Sequence, residues 1–366
     1  MYAQVAEVQH LGINAQVICE QVENIDQFSV ANIHCLADES MWKQKLDKGI
    51  RKLGLRQHLQ YLVSIGKKFG GQIVHSHFGH IGWENLGAVK KLGAKHVITF
   101  YGLDVNQLPN QFPVWRQRYL ELFKSADTIL CEGSYMAKCI VALGCPEEKV
   151  RIQHLGVNTK FIEFRPRQWL PGEPLKVLIA ASFREKKGIP YAIEALSSLS
   201  REMPVEITII GDAGSDRASQ REKKSILDAI ERCELSKHVC LLGYQSHDAL
   251  FREAHKNHLF ISPNVFASDG DSEGGAPVTL IEMAASGMPI VSTTHCDIPE
   301  VIRHQETGLL ATEHDVAGLV RHLRWFIEHP EKWNSMLLAG RRHIEKEYDM
   351  CTQGKQLALV YEKLVG

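Results

Sequence analysis

Two carboxylates, a group of cations and a run of small residues are the groups in this sequence whose spacing could do chemistry. The stretch DGDSEGGAPVTLIEMAASGMPIVSTTHCDIPEVI spans 269–302. It follows the apolar run HLFISP (258–263), so its loop falls at the carboxyl end of a strand, where parallel sheets bind ligands. Gly274, Gly275 and Ala276 leave their N–H groups uncovered, Pro277 and Val278 suit a first helical turn, and the pattern TLIEMAAS predicts a helix running to Gly287. A glycine-opened helix start offers unpaired N–H groups and positive dipole density to an anion, ideally a diphosphate. Glu282, a turn into the helix, suits sugar or ribose hydroxyls, and Glu273, just before it, suits a bound sugar. Taken alone, a surface helix with Glu273 as a favourable first-turn charge explains the same residues.

Other features converge on that anion. In ASFREKKGIPYAIEA (181–195) a strand ends at Ser182, and Arg184, Lys186 and Lys187 follow before Gly188 opens a helix. Cations placed there neutralise phosphate, although a solvated charged loop looks similar. IIGDAG (209–214) puts Gly211 and Asp212 in a glycine turn after a strand but lacks the full GxGxxG fingerprint. Tyr244, after VCLLG, is placed to flank a base. His75, His77 and His80 in HSHFGH could in principle ligate a metal. His75 and His77 share one strand face with no Cys or carboxylate ligand nearby, so packing or a role in a binding site is the better reading, and no metal site is assigned. The DGD at 269–271 reads as a flexible acidic loop.

The elements that must position these groups are legible as short Val/Ile-rich runs alternating with amphipathic stretches. Runs at 15–19, 72–78, 96–102, 128–133 and 150–155 form a first set, and runs at 176–182, 205–211, 239–243, 258–263 and 289–294 a second. Continuous apolar runs signal strands buried on both faces of a parallel sheet, and the intervening helices predict α/β architecture. FIEFRPRQWLPGEP (161–174), with three prolines and no period, reads as the start of a linker, giving units at 1–157 and 158–350. The tail from about His314 reads as three helices, and the last, 351–366, is expected to pack back on the first unit. The chain opens directly in QVAEVQHLG, which reads as the helix after a first βα turn. The opening strand of the first unit is therefore absent, or something else supplies its place in the sheet.

Composition sets outer limits. The 366 residues carry 42 Lys+Arg against 43 Asp+Glu, a balance too neutral for a general nucleic-acid binder. No run approaches the ~18 apolar residues of a membrane span, and MYAQVAEVQH lacks the basic and apolar regions of a secretory signal, so cytoplasm is the default. Nine scattered cysteines with no CxxC pair read as buried free thiols of a reducing compartment.

Together these residues resemble the retaining glycosyltransferases of family 4, which share the two-domain GT-B fold. QVAEVQHLGINAQVI is similar to that family's first helix and second strand, IVHSHFG and VITFYGLDVNQLP to its acceptor-side loops, and KVRIQHLGVNTKF to its crossing between domains. SFREKKG is similar to its phosphate-binding loop, and SEGGAPVTLIEMAASGMPIVST to its two-glutamate signature. The resemblance implies two Rossmann-like doubly wound domains facing across a cleft, with the donor held mainly by the second. Glu282 matches the signature's second glutamate, which would bind ribose. The first normally lies eight residues earlier, where this chain has Gly274, so Glu273, nine earlier, takes its place through a loop one residue longer. Lys187 matches the phosphate lysine. The partner arginine usually follows a glycine where this chain has Ser182, so Arg184 would reach the phosphates by another path. His77, Tyr101 and Asp104 fall on the acceptor side, and Tyr101 stands where many relatives have histidine.

The implied activity is transfer of a sugar, with retention, from a nucleotide-diphosphate sugar to a saccharide or lipid-linked acceptor in bacterial envelope polysaccharide assembly. UDP is the nucleotide favoured by base rates and UDP-glucose the first donor to try. Glu273, Arg184 and Lys187 would carry the chemistry without a cofactor, since cations and a helix N-terminus replace a metal's charge. The expected location is the cytoplasm, with peripheral attachment to the inner face of the membrane open. Two alternatives remain: a nucleotide-sugar epimerase of the same architecture, and a catalytically impaired donor-binding partner subunit. The absent GxGxxG disfavours a dehydrogenase.

Overall fold

The computed structural model describes residues 2–22 and 30–366. The chain forms two compact units, Met1–Asn158 with Asp349–Gly366, and Thr159–Tyr348. All strands pair in parallel.

In the first unit, β1 (Val17–Cys19) pairs with β2 (Ile33–Cys35). A separate sheet runs β3 (Ile73–His77), β4 (Lys95–Thr99), β5 (Thr128–Cys131) and β6 (Val150–Ile152) in that spatial order. No strand precedes the helix Tyr2–His10 among the described residues. Between β1 and β3 lies a cavity of about 780 Å³, lined by both strands and by Val5 and Val8 of that helix. Gln4 lines it too, nearly fully buried, and neither polar atom of its amide has a partner among the described residues. The helix Met350–Val365 returns to this unit. Its cap Asp349 bridges to Val157, Gln353 Oε1 accepts from Gln153 Nε2 at 2.7 Å, and the Tyr361 hydroxyl meets His75 Nδ1 at 2.6 Å.

The second unit is one six-stranded sheet, in spatial order β12 (Leu309–Ala311), β11 (Ile290–Thr293), β10 (Leu259–Ser262), β7 (Leu175–Ala180), β8 (Val205–Ile210) and β9 (Val239–Gly243). The central strands β7, β10 and β11 are buried almost throughout, as their unbroken apolar runs require, while β9 at the edge stays partly exposed. The helix Ile189–Ser200 places Ile189, Ala192, Ile193, Leu196 and Leu199 on one stripe into the core. Each fully buried Leu or Ile is worth roughly 1.5–3 kcal/mol.

Three sequence expectations change. The Pro-rich segment 161–174 is no free linker: it is docked on the second unit, with Trp169 in the core and Arg167 donating to the carbonyls of Ala254 and Ser286. Prolines deny it a regular period without denying it contacts. The strands β2 and β12, three residues each, lie outside the runs read from the sequence. None of the nine cysteines is in a disulfide, but Cys240 is exposed, because it lies on the edge strand β9.

Candidate active site

In the second unit, two loops meet at the carboxyl ends of β7 and β10. The first turns at Gly188 (φ +62°), where a Cβ would lie 2.0 Å from the Pro263 carbonyl oxygen, so only glycine lets the two loops come this close. They are also tied by side chains. Glu185 accepts from the Ser268 amide (2.8 Å) and hydroxyl (2.7 Å), and Lys186 Nζ reaches Asp271 Oδ1 at 3.1 Å and the Ser272 carbonyl at 2.9 Å. Asp271 is therefore buried and ion-paired, not part of a loose acidic loop.

Lys187 Nζ lies 2.8 Å from Glu273 Oε1, which also accepts from Asn264 Nδ2 at 2.9 Å. Burial alone would raise the Glu273 carboxyl, but Lys187 and Lys186 beside it hold it below the usual range, so it is ionised at neutral pH. The Glu273 N–H donates to His295 Nε2 (3.2 Å), and His295 Nδ1 meets Glu313 Oε1 at 2.8 Å. His295 is completely buried, and this geometry fits the tautomer protonated on Nδ1. The carboxylate is thus fixed through both its side chain and its backbone.

Beyond it the chain turns through Gly274 (φ +73°), Gly275 and Ala276, and Pro277 caps the helix Val278–Ala285 instead of opening its first turn. Glu282 is buried inside this helix, and its Oε1 pairs with His247 Nε2 at 2.7 Å. That hydrogen bond, outweighing the opposing effect of burial, raises the His247 pKa.

The remaining candidates stand further apart. Arg184 is half exposed and only 4.0 Å from Asp216. Ser182 is partly exposed beside it. A Cβ on Gly211 (φ +130°) would lie 1.8 Å from the Ala181 carbonyl oxygen, which packs this turn against the end of β7. Asp212 is engaged by Lys223 at 2.6 Å, and Tyr244 is well exposed after β9.

In the first unit, His77 Nδ1 meets the Tyr101 hydroxyl at 2.8 Å and the ring stacks on His75 at 4.5 Å. Burial drives the His77 pKa down to about 3, so the ring is neutral. Asp104 is wholly buried and accepts from the N–H groups of Tyr101 and Gly79, tying the loops after β3 and β4 together. Burial, partly opposed by those bonds, pushes its pKa up to about 7. No group of three or more potential metal ligands gathers among the described residues.

Sequence reasoning missed Asn264, His247, His295 and Glu313. Each reaches the site from a separate element, and the fold alone brings them together.

Two parallel α/β units, one with a cationic, glycine-turned site at the carboxyl ends of its central strands, define a two-domain glycosyltransferase of the GT-B fold. The chain belongs to the family of glycosyl transferases group 1, matched over residues 160–343, and residues 2–161 match glycosyltransferase family 4. It is similar to the amylovoran biosynthesis glycosyltransferase AmsK of Erwinia amylovora, at 32% identity over 84% of this chain and 74% of that one. It is also similar to the putative colanic acid biosynthesis glycosyltransferase WcaL of Escherichia coli K12, at 28% identity over 82% of this chain and 72% of that one. Among solved structures, HepE of Anabaena in complex with UDP-glucose superposes with a TM-score of 0.77 at 14% identity, covering 99% of this chain and 94% of that one.

Proposed function

We propose that this enzyme transfers a sugar, with retained anomeric configuration, from a UDP-sugar to a saccharide or lipid-linked saccharide in exopolysaccharide assembly. The observation that carries the reading is the ionised Glu273, held by Lys187 and Asn264 where a glycine turn opens the helix Val278–Ala285. The names of AmsK and WcaL support the pathway, and the UDP-glucose complex of HepE supports UDP-glucose as the first donor to test.

The bond from C1 to the β-phosphate oxygen breaks with its electron pair on that oxygen, the acceptor hydroxyl oxygen bonds to C1 and its proton leaves with the diphosphate, so the main task is to stabilise the phosphate charge. Lys187, Arg184 and the Gly274–Ala276 amides do this, with Pro277 and Val278 setting the direction of the helix. Glu282 holds the ribose after exchanging its bond with His247. Gly211 lets the chain approach the diphosphate, with Ser182 and Asp212 flanking it, and Tyr244 covers the base. Glu273 faces the sugar. His77 and Tyr101 serve the acceptor, positioned through Asp104. The enzyme acts in the cytoplasm at the inner face of the membrane, without metal, cofactor or nucleic acid.

A panel of nucleotide sugars tests this. Slow release of UDP from one donor, undiminished by EDTA, is the expected result. A changed sugar with UDP retained would make the protein an epimerase, and binding without turnover would make it a donor-binding subunit. Loss of activity in EDTA with rescue by Mn²⁺ would overturn the metal-free reading.

A further inference from the structure

The helix Met41–Lys52 is built inside out. Asp47, its acidic residue, faces inward, where Arg51 Nε (3.2 Å) and Arg56 hold it and the Gln60 N–H donates to it at 3.0 Å. The apolar residues face outward. Trp42, Leu46 and Leu53, spaced i, i+4 and i+11, form one stripe, and Met41 and Leu55 extend it. Trp42 is 70% exposed, Leu53 75% and Leu55 76%. Beside this stripe run Lys45, Lys48 and Lys52, all exposed, with no ion pair among the described residues. Residues 41–59 carry six cationic side chains against one carboxylate, in a chain whose total charge is −1.

Water is a poor solvent for this face, and the side opposite it holds Asp47, the one buried residue of the helix. Exposed apolar residues gathered in one place mark an interaction surface. A Trp- and Leu-bearing stripe bordered by lysines is the composition of a helix lying in the plane of a bilayer. Trp sits at headgroup depth, and lysine stems reach up to lipid phosphates. We propose that the helix Met41–Lys52 and the following loop to Leu55 dock this protein on an anionic lipid surface. Trp42, Leu46, Leu53 and Leu55 enter the headgroup–acyl boundary, and Lys45, Lys48 and Lys52 pair with phosphates. The inference rests on the reading above for its purpose, since a lipid-carried acceptor is presented at such a surface. It concerns residues that reading does not use.

The test is co-sedimentation of the full chain with vesicles of phosphatidylglycerol and phosphatidylethanolamine, against vesicles of phosphatidylcholine alone. Binding should be at least about tenfold stronger to the anionic vesicles and weaken as salt is added. The variants Lys45→Glu/Lys48→Glu/Lys52→Glu and Trp42→Ser/Leu53→Ser should each lose about tenfold or more while keeping the parent Tm, because all five side chains are exposed. Equal binding to both vesicle types, or variants that bind like the parent, overturns the proposal. So does a protein that ignores vesicles and instead self-associates through these residues, which would make the face a protein interface. UDP release from UDP-glucose in vesicle-free buffer is measured alongside. Turnover without vesicle binding removes this proposal alone, and vesicle binding without turnover removes the donor reading alone.

Discussion

Lys187 and Glu273 hold one another at 2.8 Å with little of either side chain exposed, so neither changes alone without stranding the other. Removing one member of a buried pair costs roughly 3–5 kcal/mol, and Lys186 nearby puts Lys187→Ala at the lower end, about 3 kcal/mol. Tm should fall by roughly 6–12 °C, and turnover by at least about tenfold, as expected for a lost charge-assisted hydrogen bond. Adding Glu273→Gln should restore most of the Tm and none of the turnover, and thermal melts with steady-state rates of the parent and the two variants check this. A double variant as unstable as Lys187→Ala would show the pair to be uncoupled. A second prediction concerns His247. Its raised pKa means that its bond to Glu282 is full below the ordinary histidine pKa and lost as pH rises through the higher folded value. If, as proposed, UDP competes for Glu282, UDP affinity should strengthen as pH rises through that window and lose the dependence in His247→Ala. Calorimetric titrations at several pH values check it, and an unchanged pH profile would separate Glu282 from the ribose. At this scale the sequence showed Lys187, Glu273 and Glu282 because they lie in continuous motifs. It hid His247 and His295, whose roles depend on loops meeting from separate elements.

The elements work as a frame because Gly188 and Gly211 allow backbones to touch. Gly188 combines φ +62° with a Cβ position 2.0 Å from a carbonyl oxygen, whereas Gly172 has φ +99° with open space around it. Gly172→Ala should therefore cost only conformational strain, about 1–2 kcal/mol. Gly188→Ala must also push the cationic loop away from the loop after β10, and should lower Tm further and weaken donor binding together. Melting curves and UDP titrations of both variants decide this, and equal effects would mean that the contact at Pro263 is unimportant. The unbroken runs of β7, β10 and β11 made the parallel sheet legible, because strands buried on both faces have no polar side to interrupt them. The segment 161–174 misled for the converse reason. Its prolines remove periodicity, and periodicity was the signal being read, while Trp169 and Arg167 anchor it by contacts that have no period.

Across the whole molecule, the near-neutral charge conceals a strongly basic, apolar face on one helix, which a sum over the chain cannot show. The two doubly wound units were foreshadowed by alternating strand and helix patterns. What the pattern did not show is that the first unit's strands then divide into two sheets, with a cavity between β1 and β3. That division has a consequence for the time scale on which this unit breathes. Among the described residues the amides of Val17–Cys19 are held in register only with β2, whereas those of β4 lie between two strands and in the core. Local opening should need less free energy at β1 than at β4. In deuterated buffer, peptides covering Val17–Cys19 should take up label well before those covering Lys95–Thr99, with the cavity-facing amides of β3 between them. Equal protection at all three would mean that in solution the cavity is filled by something that bonds to both strand edges, and that the buried amide of Gln4 has found its partner there.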